Sequence, residues 1–241
     1  MIVNYTESGW EIITQRSHGL LAAQICAHWN KADQGRYWVE TIVATAEHDD
    51  VYNEFENQDL ITTQGGPLNF KMTEFKKDYA TRLMQMAETK GAWIALLVSR
   101  HIQFVHGEDP KALTFITALK KREKLWMKIL SVSPSEISSA YRLLEFCDAF
   151  SLLICKHAIQ PEQRKMDIST GPDREIYTVW EKSEQVLVVD PWPFELENFK
   201  LSYESRTIAQ LCFKDVSEFR KIFFDTPAVL QELIIKKAKS Y

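Results

Sequence analysis

Leu143-Leu144-Glu145-Phe146-Cys147-Asp148-Ala149-Phe150-Ser151-Leu152-Leu153 has apolar residues on nearly every face of a helix, and a carboxylate in its middle. A helix of that kind is buried. An unpaired buried charge costs several kcal/mol even after relaxation, so Asp148 must pair, neutralise or bind a cation. The same periodicity extends the helix over about 135–158.

Working outward, helical spacing continues upstream over about 111–130, 92–106 and 76–90. The breaks at Gly107-Glu108-Asp109-Pro110 and near Pro134 fall where helices end. Residues 53–75 read as a long loop with turn signals at Gln64-Gly65-Gly66-Pro67. Before it, one helix is expected from Tyr37 to about Asp50 and another from about Arg16 to Asn30, with Ser17 as its cap. Residues 1–14 read as a β-hairpin turning at Glu7-Ser8-Gly9. Downstream, residues 160–174 are polar. Strands are expected at Ile176–Trp180, Val186–Val189 and 199–210, and a helix over 215–239. The expected fold class is therefore mainly α: a helical bundle with a small β-sheet built from the N-terminal hairpin and the C-terminal strands. It is expected to form a single domain over 1–241, with a helical core over 15–160 and a β-containing appendage over 1–14 and 174–241.

The bulk numbers narrow the function classes. A chain of 241 residues that is 45% hydrophobic can bury a sizeable core. Its net charge of −4 gives no electrostatic reason to expect nucleic acid or an anionic membrane as partner. The longest strongly apolar run, Trp93–Val98, is far short of the roughly 20 residues a membrane helix needs. The N-terminal residues lack the basic-then-apolar order of a secretory signal. None of the four cysteines forms a Cys-x-x-Cys pair, and a reducing cytoplasm is the expected location.

Asp148 has company. His18 lies on the first expected helix, and His48-Asp49 ends the second. Two imidazoles and two carboxylates on three helices make a mixed nitrogen–oxygen ligand set for a divalent ion such as Mn, Fe, Zn, Ni or Mg. A histidine, a His-Asp dyad and a distant aspartate on successive helices resemble the HD superfamily of metal-dependent phosphohydrolases. The wider wording is similar to a bacterial family known as domain of unknown function 3891. Its resemblance is carried by Gln15-Arg16-Ser17-His18, Ala46-Glu47-His48-Asp49-Asp50, Leu97-Val98-Ser99-Arg100-His101 and Phe146-Cys147-Asp148-Ala149-Phe150-Ser151-Leu152, and spans roughly residues 1–225. The dyad departs from that family's pattern in one respect, because Asp50-Val51-Tyr52 stands where Asp-Gly-Trp is frequent.

The resemblance implies an HD-domain-like bundle with His18, His48, Asp49 and Asp148 as metal ligands, and His101 as a further candidate for a one- or two-ion centre. It implies hydrolysis of a small phosphorylated molecule, nucleotides included, by water activated at the ion. Asp49 is expected in the catalytic set. Arg16 and Arg100 are the cations expected near the phosphate. Asp50 is expected to orient water or a ligand histidine. The rival classes are a non-catalytic protein that senses a nucleotide or metal, and a di-iron oxygenase.

Other features read as structural. His28 and His157 are assigned to packing or the surface, and His106 to a helix end. The run Lys120-Lys121-Arg122-Glu123-Lys124 is a solvated face. Trp29, Trp38, Trp93 and Trp126 belong to the core, and Cys147 to packing. Tyr52 and Phe55, just past the dyad, are expected to line a pocket. Pro191-Trp192-Pro193-Phe194 either covers that pocket or braces the bundle. Natural substrate and oligomeric state have no signature in the sequence.

Overall fold

The structure, a computed structural model, describes residues 1–238. A hairpin of β1 (Ile2–Thr6) and β2 (Gly9–Ile13) leads into α1 (Gln15–Ala27) and α2 (Trp38–Glu47). A long loop then precedes α3 (Lys77–Lys90), α4 (Ala92–His106), α5 (Leu113–Leu130) and α6 (Pro134–Cys155). The remainder is β3 (Met166–Thr170), β4 (Ile176–Ser183), β5 (Val186–Asp190), β6 (Asn198–Ile208), α7 (Val216–Asp225) and β7 (Val229–Lys237).

The strands form one seven-stranded sheet in the order β1-β2-β6-β7-β5-β4-β3, curled into a half-barrel. All neighbours are antiparallel except β5 and β7, which run parallel. This corrects the expected fold class. The molecule is not a mainly α, HD-like bundle with a small appended sheet, because the sheet is a full layer that shares its core with the helices. Leu21 and Ile25 of α1 and Phe146 and Phe150 of α6 pack with Val179, Val189, Leu201 and Ile235 of four different strands. The two helices that carry His18 and Asp148 are thus seated directly on the sheet.

Two strands account for the difference. Residues 229–237 form β7, where the sequence suggests a continuing helix; that expected helix covers only 216–225, and its last position, residue 239, lies outside the described residues. β3 lies in the stretch read as a polar connection, since Ile168 is its one buried residue.

The helical half follows the expected boundaries closely. α6 begins with Pro134 and a reciprocal cap in which Ser133 and Glu136 each satisfy the other's backbone N–H. A second core cluster joins α2, α3, α4 and α5 to Ile137 and Leu144 of α6. At α1 the expected cap is corrected: Thr14 Oγ1 accepts from the Ser17 amide at 2.9 Å, while the Ser17 hydroxyl bridges the backbone of Glu204 on β6. Gly19 permits a close crossing of α1 over α2, because a Cβ there would meet the Ala46 carbonyl oxygen at 2.3 Å. Among the described residues, no helix is long and apolar enough to cross a membrane.

Candidate metal centre

The close α1–α2 crossing sets His18 beside His48, whose rings meet edge to face with centroids 5.2 Å apart. α6 brings Asp148 between them: its Oδ1 lies 3.0 Å from His18 Nε2 and 3.4 Å from His48 Nε2. Asp49 follows His48 where α2 ends, with Oδ2 3.7 Å from His48 Nε2. α4 adds His101, whose Nε2 is 3.7 Å from Asp49 Oδ1. The structure therefore brings His18, His48, Asp49, Asp148 and His101 into one cluster. Two overlapping trios, His18–His48–Asp49 and His48–His101–Asp148, each offer ligand atoms within 4.8 Å of one another.

The far side of each imidazole fixes its tautomer. His48 Nδ1 lies 2.8 Å from the Thr45 carbonyl, which can only accept, so Nδ1 carries the proton. His18 Nδ1 lies 2.8 Å from Ser151 Oγ, and that hydroxyl donates its own hydrogen to the Asp148 carbonyl. Ser151 must then accept from His18 Nδ1–H. In the neutral rings both Nε2 atoms then offer lone pairs to the cluster. Both rings are fully buried, and neither Nε2 has a hydrogen-bond partner despite the nearby carboxylate. Buried polar atoms are almost always satisfied. A cation accepting these lone pairs resolves both, so the donor set fits a metal.

The pull on positive charge shows in the pKa values. Burial disfavours charge on all four groups, yet Asp148 and Asp49 outweigh it at His48 and raise its pKa to about 9, so near neutral pH a proton holds the Nε2 position that a bound ion would take from it. At Asp49 burial is outweighed by His48 and His101, and the pKa falls to about 2. Asp148 is held well below the usual carboxylate range by His48 and His18, again against burial. For His18 burial wins over Asp148, and its pKa is lowered. The centre thus keeps two carboxylates charged in a buried place and draws positive charge toward them.

A cavity of about 390 Å³ opens on Asp49, His101 and Asp148. Tyr52 lines it, as expected. Phe55 does not: it is 72% exposed and packs toward Phe224. His106 ends α4, lines the same cavity and meets Phe75 edge-on. Arg16 and Asp50 pair with each other at 2.7 Å, and Arg100 pairs with the buried Glu123 at 3.1 Å; none of the three lines the cavity. The lysines that do are Lys71 and Lys76, which sit in the long loop without a motif around them. Gln15 opens one of the stretches that carry the family resemblance but has no expected role, and its Nε2 donates to Asp49 Oδ2 at 2.8 Å. Ser151 carries a faint signal, being a hydroxyl three residues after Asp148 in an otherwise apolar run. Trp192 and Phe194 brace the sheet against Phe199 and Trp29, away from the cavity. His28 stacks on Phe199, and His157 pairs with Glu11 at 2.6 Å.

Fold and site together define a mixed α/β chain with a buried histidine–carboxylate cluster that could hold a metal. Residues 1–210 match the model of a family described as protein of unknown function, DUF3891, and the chain belongs to that family. No curated protein and no solved structure matches it.

Proposed function

We propose that this chain is a metal-dependent hydrolase of small phosphate esters, with His18, His48, Asp49 and Asp148 holding a divalent ion and His101 completing the set or serving a second ion. The observation that carries the reading is the pair of buried, unpartnered Nε2 atoms converging on Asp148 at the floor of a cavity. The reading rests on the ligands along α1, α2 and α6 and on the cavity beside them, not on the fold, which is not that of an HD bundle.

A divalent ion in such a set supplies Lewis acidity toward a phosphoryl oxygen and the attacking water. The chain's own residues do the rest. Thr45 and Ser151 hold the two imidazoles in the tautomer that ligates. Gln15 fixes one oxygen of Asp49 and leaves the other facing His101. Lys71, which has no carboxylate partner among the described residues, is the cation placed to meet a phosphate at the cavity rim. Arg16 and Arg100 are already neutralised by Asp50 and Glu123.

The test begins with metal content by plasma mass spectrometry on wild type and Asp148→Ala. One or two equivalents of Mn, Fe, Zn or Ni in the wild type, lost in the variant, are expected. Phosphate release from phenyl phosphate should then vanish in Asp49→Ala. A wild type that takes up none of these ions, even after incubation with them, sinks the proposal; an ion without turnover on any ester leaves a sensor.

A further inference from the structure

The cavity beside the centre has a composition that narrows what enters it. Its wall is mostly apolar, with Leu60, Leu68, Leu83, Ile102 and the rings of Phe70 and Phe104 among its lining side chains. The edge-to-face pair Tyr52–Tyr79, with centroids 5.8 Å apart, adds aromatic surface on the same wall. Phe104 is 62% exposed, so the apolar lining continues out to the rim.

The polar groups around it are mostly spent on the protein itself. Asn57 Nδ2 donates to the Val51 carbonyl at 3.0 Å, and Asn53 Oδ1 accepts from the Glu56 amide at 2.9 Å, so both side chains hold the loop. Lys76 is paired with Asp59, and Glu74 with Lys111. Beyond the centre, a buried carboxyl, Glu54, also lines the cavity. That leaves Lys71 as the unpaired lysine in the lining. Recognition of a polyphosphate uses several cations and aligned N–H donors. Recognition of a base edge needs unspent amide or carboxylate groups. This wall offers one unpaired lysine, and its unspent amide and carboxyl groups are few, Gln15 Oε1 and Glu54 among them, both buried. At about 390 Å³ the cavity is also near the small end of the roughly 300–1,000 Å³ typical of ligand sites.

We infer that the cavity selects a compound with a single phosphoryl group on a compact apolar body, an aryl or branched-alkyl phosphate, and not a nucleoside polyphosphate. This rests on the hydrolytic reading above for what happens next. Water's oxygen bonds to phosphorus, the bond from phosphorus to the ester oxygen breaks, and that oxygen takes up a proton, releasing alcohol and inorganic phosphate. The phosphoryl group faces Asp49, His101 and Asp148, while the carbon body lies along Ile102, Phe104 and Leu68.

The experiment measures binding of phenylphosphonate, methylphosphonate and ADP to Mn²⁺-incubated protein by calorimetry, beside phosphate release from phenyl phosphate and ATP. Phenylphosphonate should bind about tenfold tighter than methylphosphonate, the effect of removing part of one phenyl face from water. ADP should gain nothing over methylphosphonate. Phe104→Ser, at an exposed position, should reduce the phenyl preference about threefold, read as the ratio of the two phosphonate affinities in the variant against wild type. Equal binding of the two phosphonates, or tighter binding of ADP than of phenylphosphonate, overturns the inference. Release from ATP but not from phenyl phosphate also overturns it while sparing the hydrolytic reading. A phenyl preference without release from either ester supports the cavity assignment and overturns hydrolysis.

Discussion

Gly19→Ala tests how the centre is held together. The added Cβ would stand 2.3 Å from the Ala46 carbonyl oxygen, whereas ordinary contact begins near 3.4 Å. The shortfall is about 1.1 Å, and it falls on backbone that no side-chain rotation can move. α1 and α2 must therefore part by about that amount, with His18 one residue before the crossing and His48 two after it. Forced overpacking of this kind costs about 1–3 kcal/mol. For a chain of this size 1 kcal/mol lowers Tm by roughly 2–4 °C, so a central cost of about 2 kcal/mol gives roughly 4–8 °C. Functional constellations tolerate misplacement of only about 0.5 Å, so metal affinity should fall at least about tenfold. Calorimetric melting and a Mn²⁺ titration read both effects. Gly35→Ala is the control, because a Cβ at Gly35 meets nothing within 4 Å. A Gly19→Ala protein with wild-type Tm and wild-type metal affinity would refute the close-crossing account.

Three other perturbations probe separate links. Ser151→Ala strands His18 Nδ1–H in the core; metal affinity should drop roughly 10- to 100-fold and stability by about 1–3 kcal/mol, as read by titration and denaturant melts, and unchanged affinity would discard the assigned tautomer. Arg220 of α7 donates to the carbonyls of Glu54 and Asn57 at 3.0 and 2.7 Å, pinning the cavity loop from the far end of the chain; Arg220→Ala should raise KM for phenyl phosphate several-fold with little change in kcat or metal content, and a fall confined to kcat would count against a loop-positioning role. The third concerns pH. Hydrogen bonding to Glu11 raises the His157 pKa against burial, whereas Glu11 is lowered because His157 and Asn4 outweigh its burial. The histidine's contribution is complete below its ordinary 6.5 and is lost as pH rises through its raised value; the glutamate's is complete above its ordinary 4.5 and is lost as pH falls through its lowered one. The destabilisation of His157→Gln should thus peak between about pH 4.5 and 6.5, at roughly 0.5–1 kcal/mol for a pair whose histidine is half exposed. A pH-independent difference in melts would remove this pair from the stability account.

What the sequence disclosed follows from which signals are local. α4 is bounded by Gly91 and Gly107, and its expected span of 92–106 matches the structure. His18, His48, Asp49 and Asp148 stood out because charged or polar groups on apolar helices demand compensation, and the structure gathers them. β7 was hidden because its apolar Leu230, Leu233 and Ile234 sit at helical spacing among good helix formers. Its strand state is imposed from outside, by β6 on one side and β5 on the other. β3 was hidden because a strand at the sheet's edge buries one side chain. Lys71, Lys76 and Gln15 reach the site through loop path or cross-helix contact, which no spacing along the chain encodes.

The position of β7 has a practical consequence for anyone preparing this protein. Among the described residues it is the last strand in chain order and the sole bridge between β1-β2-β6 and β5-β4-β3, so it lies inside the sheet. The family match stops at residue 210, before β7 begins. A fragment trimmed to the matched residues would carry two part-sheets, with bare edges of unpaired backbone at the 11-residue β6 and the 5-residue β5, the kind of surface that recruits further chains edge to edge. Such a fragment should precipitate or form open-ended assemblies. During synthesis the same two edges stay bare until residues 229–237 have cleared the ribosome, so the half-finished sheet is the stage at which this chain most needs a chaperone.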